Sequence, residues 1–155
     1  IYNGVLCTNY KKSYKKSKIL KIITIARFEI PKDFKTLLKA LSLINKIDWQ
    51  LTIIGNGPEI NNVKEYAKEL CIAKKIYYLG LVEDVDQFLK ESDIFILSSD
   101  SEGFPRSILQ AMSNSLPILA TNVGGIKESV RENQNGFGQK FAKVYHYGLV
   151  YAPKT

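Results

Sequence analysis

Apolar positions along this chain switch repeatedly between two periods, and the switching predicts a layered α/β fold. Ile19 to Phe28 is β-branched and apolar, as a buried strand requires. Asp33 then caps a helix in which Phe34, Leu37, Leu38, Leu41 and Ile44 recur at helical spacing. Trp49 to Ile54 is the next strand, ended by Gly55-Asn56-Gly57-Pro58. A second amphipathic helix carries Ile60, Val63, Ala67 and Leu70. Lys75 to Leu79 predicts a third strand, closed by Gly80, and Asp84 to Glu91 a short helix with Val85, Phe88 and Leu89 inward. Ile94 to Leu97 is the fourth strand and Pro105 to Asn114 the helix after it. Pro117 to Ala120 is the fifth strand, followed by Gly124-Gly125 and a short helix to about Arg131.

Five strands alternating with helices imply a parallel sheet covered on both faces. Right-handed crossovers leave few topologies, led by a doubly wound, Rossmann-like sheet. Ligands of such sheets lie at the carboxyl ends of the strands. The loops there are residues 27–33, 55–58, 80–84, 98–104 and 121–125, and they form one rim. The length of 155 residues suits one domain. Residues 1–18 read as a polar lead-in, 19–138 as the folded body, and 139–155 as a basic, aromatic tail. Within that tail, Lys143 to Tyr151 is β-prone enough for an edge strand, and no amphipathic helix follows it.

Charge changes the picture only once it is located. The formal net charge is +7, but residues 1–21 hold six lysines and no acid, and residues 139–155 hold three lysines and no acid. The stretch 22–138 has thirteen basic and fifteen acidic residues, so the body is close to neutral. A nucleic-acid binder carries its positive charge on the folded body, and this chain does not; no nucleic acid is expected as a partner. The basic ends are either solvated tails or a docking surface for acidic lipid or a partner. No apolar run is long enough to span a membrane, and no secretory signal opens the chain. Cys7 and Cys71 lie far apart without metal-type spacing, as reduced thiols of a cytoplasmic protein do. The expected location is therefore cytoplasmic, with a peripheral contact to the inner face of the membrane left open.

The richest stretch for chemistry runs from Ser98 to Met112. An apolar strand enters a polar turn holding Glu102, Gly103 follows, and Pro105 stands where a helix would begin. A helix N-terminus offers free N–H groups to phosphate or to a sugar oxygen. Gln110 lies about 8 Å along the helix axis from Pro105. Ser107, Gln110 and Asn114 are expected to share a polar stripe opposite Ile108 and Met112. Pattern alone leaves two readings of Glu102 and Gln110: two contacts to an elongated ligand, or a loop acid beside a solvated stripe. On the first rim loop, Arg27 and Lys32 make a diphosphate clamp plausible, since arginine grips phosphate bidentately and lysine is a point charge. The alternative makes both surface residues, an account that suits Lys32 better than Arg27, which ends a buried strand.

Other motifs carry less. Asp84-Val85-Asp86 has the Asp-x-Asp form of metal-dependent sugar transferases, but its place at a helix start favours capping. Gly55-Asn56-Gly57-Pro58 is not a P-loop, because no Gly-Lys-Ser/Thr follows. His146, the single histidine, lies in the tail, and no cluster has metal-ligand spacing, so no metal site is expected.

Several segments are familiar as a series. They are Tyr2-Asn3-Gly4-Val5, Ala26-Arg27-Phe28 with Lys32-Asp33-Phe34 and Leu37-Leu38-Lys39-Ala40-Leu41, Leu51 to Pro58, Ile76 to Gly80, Ser99 to Met112, and Pro117 to Glu128. In order and spacing across residues 2–137, they resemble the carboxyl-terminal, donor-binding half of family 4 retaining glycosyltransferases with the GT-B fold. The segment from Ser99 resembles that family's Glu-x7-Glu element. The one ending at Glu128 resembles its Pro-x-x-Ala-Thr-x-x-Gly-Gly-x-x-Glu element.

The resemblance implies a nucleotide-sugar donor site that transfers a hexosyl unit to a glycan or lipid-linked acceptor. Arg27 and Lys32 would hold the diphosphate and Glu102 the hydroxyls of the transferred sugar. Gly103, Phe104 and Pro105 would offer backbone N–H groups or packing, Gln110 would meet the ribose, and Gly80 to Val82 would lie against the base. No cofactor beyond the donor substrate is implied, and no metal. Three departures stand out: Gln110 replaces the usual second glutamate, the tail after Gly138 is unlike the family's closing segment, and the amino-terminal acceptor domain is missing. The rival readings are a GT-B nucleotide-sugar epimerase and a degenerate, non-catalytic binding fragment.

Overall fold

A computed structural model describes residues 4–5, 17–126 and 130. Their elements in chain order are β1 (Ile19–Ile25), α1 (Phe34–Ser42), β2 (Asp48–Ile54), α2 (Ile60–Glu69), β3 (Ile76–Gly80), α3 (Asp86–Glu91), β4 (Ile94–Leu97), α4 (Arg106–Ser113) and β5 (Ile118–Ala120). The five strands form one sheet in the order β3-β2-β1-β4-β5, and every pairing is parallel. This is the doubly wound, Rossmann-like sheet that the periodicity predicts. The helix expected to run to Arg131, the strand expected at Lys143 to Tyr151, Glu128 and the 139–155 tail lie outside the described residues, as does nearly all of the 1–18 lead-in.

The central strands serve two cores because successive side chains point to opposite faces. Ile22 packs on one side with Phe28, Leu38, Trp49 and Ile53 beneath α1 and α2. Its neighbour Ile23 packs on the other with Leu89, Phe95 and Ile108 beneath α3 and α4. Phe34, Leu37, Leu38 and Leu41 are the buried face of α1 as read, and Asp33 caps it by accepting from the Thr36 N–H at 3.0 Å, whereas Ile44, read into the same helix, lies past its end at Ser42.

One boundary differs in a way that matters. The first strand ends at Ile25, not Phe28. Phe28 is fully buried, stacks on Phe34 at 4.5 Å between ring centroids, and has its own backbone caught by the loop after β2. Its N–H donates to the Asn56 carbonyl at 3.0 Å, and its carbonyl accepts from the Glu59 N–H at 2.9 Å. Gly57 permits this approach, since a Cβ there would lie 2.5 Å from the Phe28 carbonyl oxygen.

The chain runs outward from β1 through β2 to β3, then returns to the other side of β1 for β4 and β5. The order therefore reverses between β1 and β4. In an open α/β sheet that reversal opens a crevice at the carboxyl ends of the two strands, where ligands bind.

Candidate functional site

The loops that leave β1 and β4 meet at this reversal and are joined backbone to backbone. Lys32 and Ser99 form an isolated antiparallel bridge. Asp33 N–H donates to the Ser98 carbonyl at 3.0 Å, and Asp100 N–H donates to the Pro31 carbonyl at 2.8 Å. Two segments far apart in sequence thus act as one rigid lip.

Side chains converge on the same seam. The Lys32 ammonium pairs with Oε1 of Glu102, and the two side chains are only 18% and 9% exposed, so this pair is largely withdrawn from water. The Ser99 hydroxyl donates to the same Oε1 at 2.6 Å. Ser99 is held in turn by Thr121 at the end of β5: the Thr121 hydroxyl accepts from the Ser99 N–H at 3.0 Å and donates to the Ser99 carbonyl at 2.8 Å. Sequence reasoning assigned no role to Ser99 or Thr121. The available signal was a hydroxyl residue just beyond each of two adjacent parallel strands.

The loop after β5 closes the site from below. Gly125 N–H donates to the Glu102 carbonyl at 3.0 Å. A Cβ on Gly124 would stand 1.8 Å from the Glu102 carbonyl oxygen, and one on Gly125 1.8 Å from that of Gly103. Only glycine lets these backbones touch.

The two cations of the first loop have opposite surroundings from those expected. Arg27, not Lys32, is the exposed one: its side chain is 73% accessible and pairs with Glu29 at 3.0 Å. The cause is local. Phe28 turns inward to the core, so its neighbour Arg27 turns outward, while Lys32 is drawn in by Glu102 and the bridge to Ser99. Arg27 and Lys32 share the loop but make no contact with each other among the described residues.

The remaining expected residues fall at the rim. Pro105 is the N-cap of α4, and Gly103 and Phe104 precede it in the turn. Pro105 has no N–H, so of these three only Gly103 and Phe104 can offer backbone donors. Gln110 is half-buried on the second turn of α4. Gly80 ends β3 in the left-handed region, φ +70°, and its carbonyl accepts from Gly55 N–H at 2.8 Å. Val82 packs against the core beneath α3 and α4.

The expected polar stripe on α4 is not a stripe. Asn114 is fully buried at the C-cap, and its amide donates to Asp86 Oδ1 and to the Gln110 carbonyl, each at 3.0 Å. The helix ends at Ser113, and the chain folds Asn114 beneath it to tie α4 to the start of α3. Asp84 accepts from the Asp86 N–H at 2.9 Å, so both carboxylates of the Asp-x-Asp segment are engaged in helix anchoring.

Comparisons with known proteins bear on this arrangement. A family model described as Glycosyl transferases group 1 matches residues 8–143. N-acetyl-alpha-D-glucosaminyl L-malate synthase of Bacillus anthracis is 32% identical over 132 residues, covering 84% of this chain and 35% of the relative. A UDP-Gal:alpha-D-GlcNAc-diphosphoundecaprenol alpha-1,3-galactosyltransferase of Escherichia coli is 35% identical over 91 residues, covering 58% of this chain and 24% of its own length. Among solved structures, the apo form of the lipopolysaccharide outer core galactosyltransferase WaaB superposes with a TM-score of 0.79 at 26% identity, covering 95% of this chain and 42% of that one. The chain thus spans about a third of the length of the malate synthase relative. Among the described residues, no helix is long and apolar enough to cross a membrane.

Proposed function

This chain belongs to the glycosyl transferases group 1 family, and from that premise we propose that its rim binds the nucleotide-sugar donor of a retaining hexosyltransferase. The whole protein would add an acceptor-binding domain and move the sugar to a glycan or lipid-linked acceptor. The observation that carries the reading is the enclosed Lys32–Glu102 pair, set where the strand order reverses and beside the N-terminus of α4.

The parts suit that task. Lys32 and Arg27 meet the diphosphate, one as a point charge and one as a fork. The N–H groups at the start of α4, with those of Gly103 and Phe104, add partial positive charge. Pro105 packs beside them. Charge builds on the diphosphate as the bond to the anomeric carbon breaks. Donors already in place stabilise it without reorganisation, and the reading needs no metal for this. Once Lys32 turns to phosphate, Glu102 is released to accept from sugar hydroxyls. Gln110 reaches the ribose, and the backbone from Gly80 to Val82 lies against the base.

Calorimetry and thermal shift against UDP-galactose, UDP-glucose, UDP-N-acetylglucosamine, GDP-mannose and ADP-glucose test the donor site. Stabilisation by sugars of one base is expected, and silence across the panel would refute the reading. With the full-length protein, the anomeric configuration of the product read by NMR tests retention; an inverted product would refute that part alone.

A further inference from the structure

We propose that Ser99 and Thr121 are positioning residues that hold the Glu102 carboxylate in one pose for the donor sugar. The proposal rests on the donor-site reading of Glu102.

The geometry is that of a two-step relay of contacts. The backbone ladder between β4 and β5 ends with the Thr121 N–H donating to the Leu97 carbonyl at 3.1 Å, one residue past Ala120. The Thr121 hydroxyl carries it one residue further. It accepts from the Ser99 N–H at 3.0 Å and donates to the Ser99 carbonyl at 2.8 Å, gripping both polar groups of one residue. On its other side Ser99 is bridged to Lys32. Ser99 is 2% exposed, so neither its backbone nor its side chain has water as an alternative. A serine hydroxyl carries one proton, and here it goes to Glu102 Oε1 at 2.6 Å, a length typical of a hydroxyl bound to a carboxylate.

Two features give this relay a purpose beyond stability. Both hydrogen bonds to the carboxylate fall on Oε1, and none from the described residues falls on Oε2. Oε2 is then the oxygen left to accept from a sugar hydroxyl. Lys32 must also turn from Glu102 when it engages the diphosphate. Ser99 stays, and keeps the carboxylate from swinging when its ionic partner leaves. Ser99 and Thr121 touch neither sugar nor phosphate in this scheme; they act through Glu102.

The test compares two ligands on this chain by calorimetry: the sugar nucleotide that the panel above selects, and the same nucleoside diphosphate without sugar. Ser99→Ala should weaken the sugar nucleotide about tenfold, the scale of a lost hydrogen bond to a charged group. Its affinity for the bare diphosphate should stay within about twofold, since Glu102 serves only the sugar. Ser99→Thr, which restores the hydroxyl, should recover most of the loss. Ser99→Ala should add nothing to Glu102→Gln, because both act through one carboxylate. Ser99→Cys, similar in size and a poor donor, replaces Ser99→Ala if the alanine variant does not fold.

Equal losses for both ligands would mean a structural role and overturn the proposal. So would parental affinity in Ser99→Ala while Glu102→Gln loses the sugar nucleotide; the donor-site reading would then stand. If Glu102→Gln does not discriminate the two ligands, or the chain binds no member of the panel, the reading of Glu102 fails and this proposal with it.

Discussion

Lys32 and Glu102 stand 70 positions apart in the chain, yet they form an ion pair whose members are both mostly shielded from solvent. Removing one partner of such a pair strands the other. Lys32→Met should cost about 2–4 kcal/mol in urea unfolding, because the enclosed Glu102 side chain is left without its counter-ion. Adding Glu102→Gln should return part of that loss, so the double mutant is more stable than additivity predicts. Strict additivity of the two losses would show that the pair carries no coupling.

Arg27 separates binding from folding. Its ion pair with Glu29 is exposed, and such pairs contribute under about 1 kcal/mol. Arg27→Ala should leave the melting temperature nearly unchanged while weakening a bound nucleoside diphosphate about tenfold, as loss of a charge-assisted contact does. Equal diphosphate affinity in mutant and parent, measured by calorimetry, would remove Arg27 from the clamp.

The glycines under the site make a paired experiment. Gly125→Ala places a methyl 1.8 Å from the Gly103 carbonyl oxygen, a clash with backbone that no rotamer relieves. A loss of about 3 kcal/mol or more in chemical unfolding is expected. Gly103→Ala meets nothing within 4 Å and keeps its N–H, so its stability should fall within about 0.5 kcal/mol of the parent. A tolerated alanine at 125 would mean that the loop after β5 can retreat from Glu102.

Gln110 is an amide where the family places a carboxylate. A carboxylate accepts from both ribose hydroxyls, whereas an amide accepts one bond and donates another. Charge-assisted bonds exceed neutral ones by about 1 kcal/mol, so Gln110→Glu should tighten nucleotide-sugar binding several-fold. Calorimetric titration reads this directly, and an unchanged dissociation constant would sink the ribose role.

Tyr78 sets an alkaline limit. Burial beside Phe28 pushes its phenol above the ordinary value of about 10, and its hydroxyl has no hydrogen-bond partner among the described residues. The folded state therefore holds this proton more tightly than the unfolded chain. Stability linked to Tyr78 is intact below about pH 10 and is lost as pH rises above it. Tyr78→Phe should flatten that decline in stability measured against pH, and at neutral pH should equal or exceed the parent by up to about 1 kcal/mol. A steeper alkaline loss in the phenylalanine variant would contradict this.

Much of the fold was legible because it is written in local periods. Phe34, Leu37, Leu38 and Leu41 announce their helix within eight positions, and Asp33 announces its cap. The rim followed from topology once the strands were known. What stayed hidden depends on contacts between distant segments. Nothing near Phe28 shows that the loop after β2 will catch its backbone and turn Arg27 outward. Nothing near Asn114 shows that Asp86 will bury it. Glu102 was visible as a carboxylate in a suggestive turn with Ser99 three residues before it, but its lysine and the threonine behind that serine lie on two other stretches of chain. Only folding assembles them.

The bridge between Lys32 and Ser99 also determines the smallest unit able to recognise a ligand. One loop belongs to the half of the sheet built from β1 to β3, the other to the half built from β4 and β5. Cutting the chain between β3 and α3 would leave each fragment with one jaw: a lysine without its acid, or an acid without its lysine. Any donor that needs both jaws would bind only the reassembled pair. Its presence would then favour reassociation of the fragments by mass action, making the ligand a splint for the fold as well as its cargo.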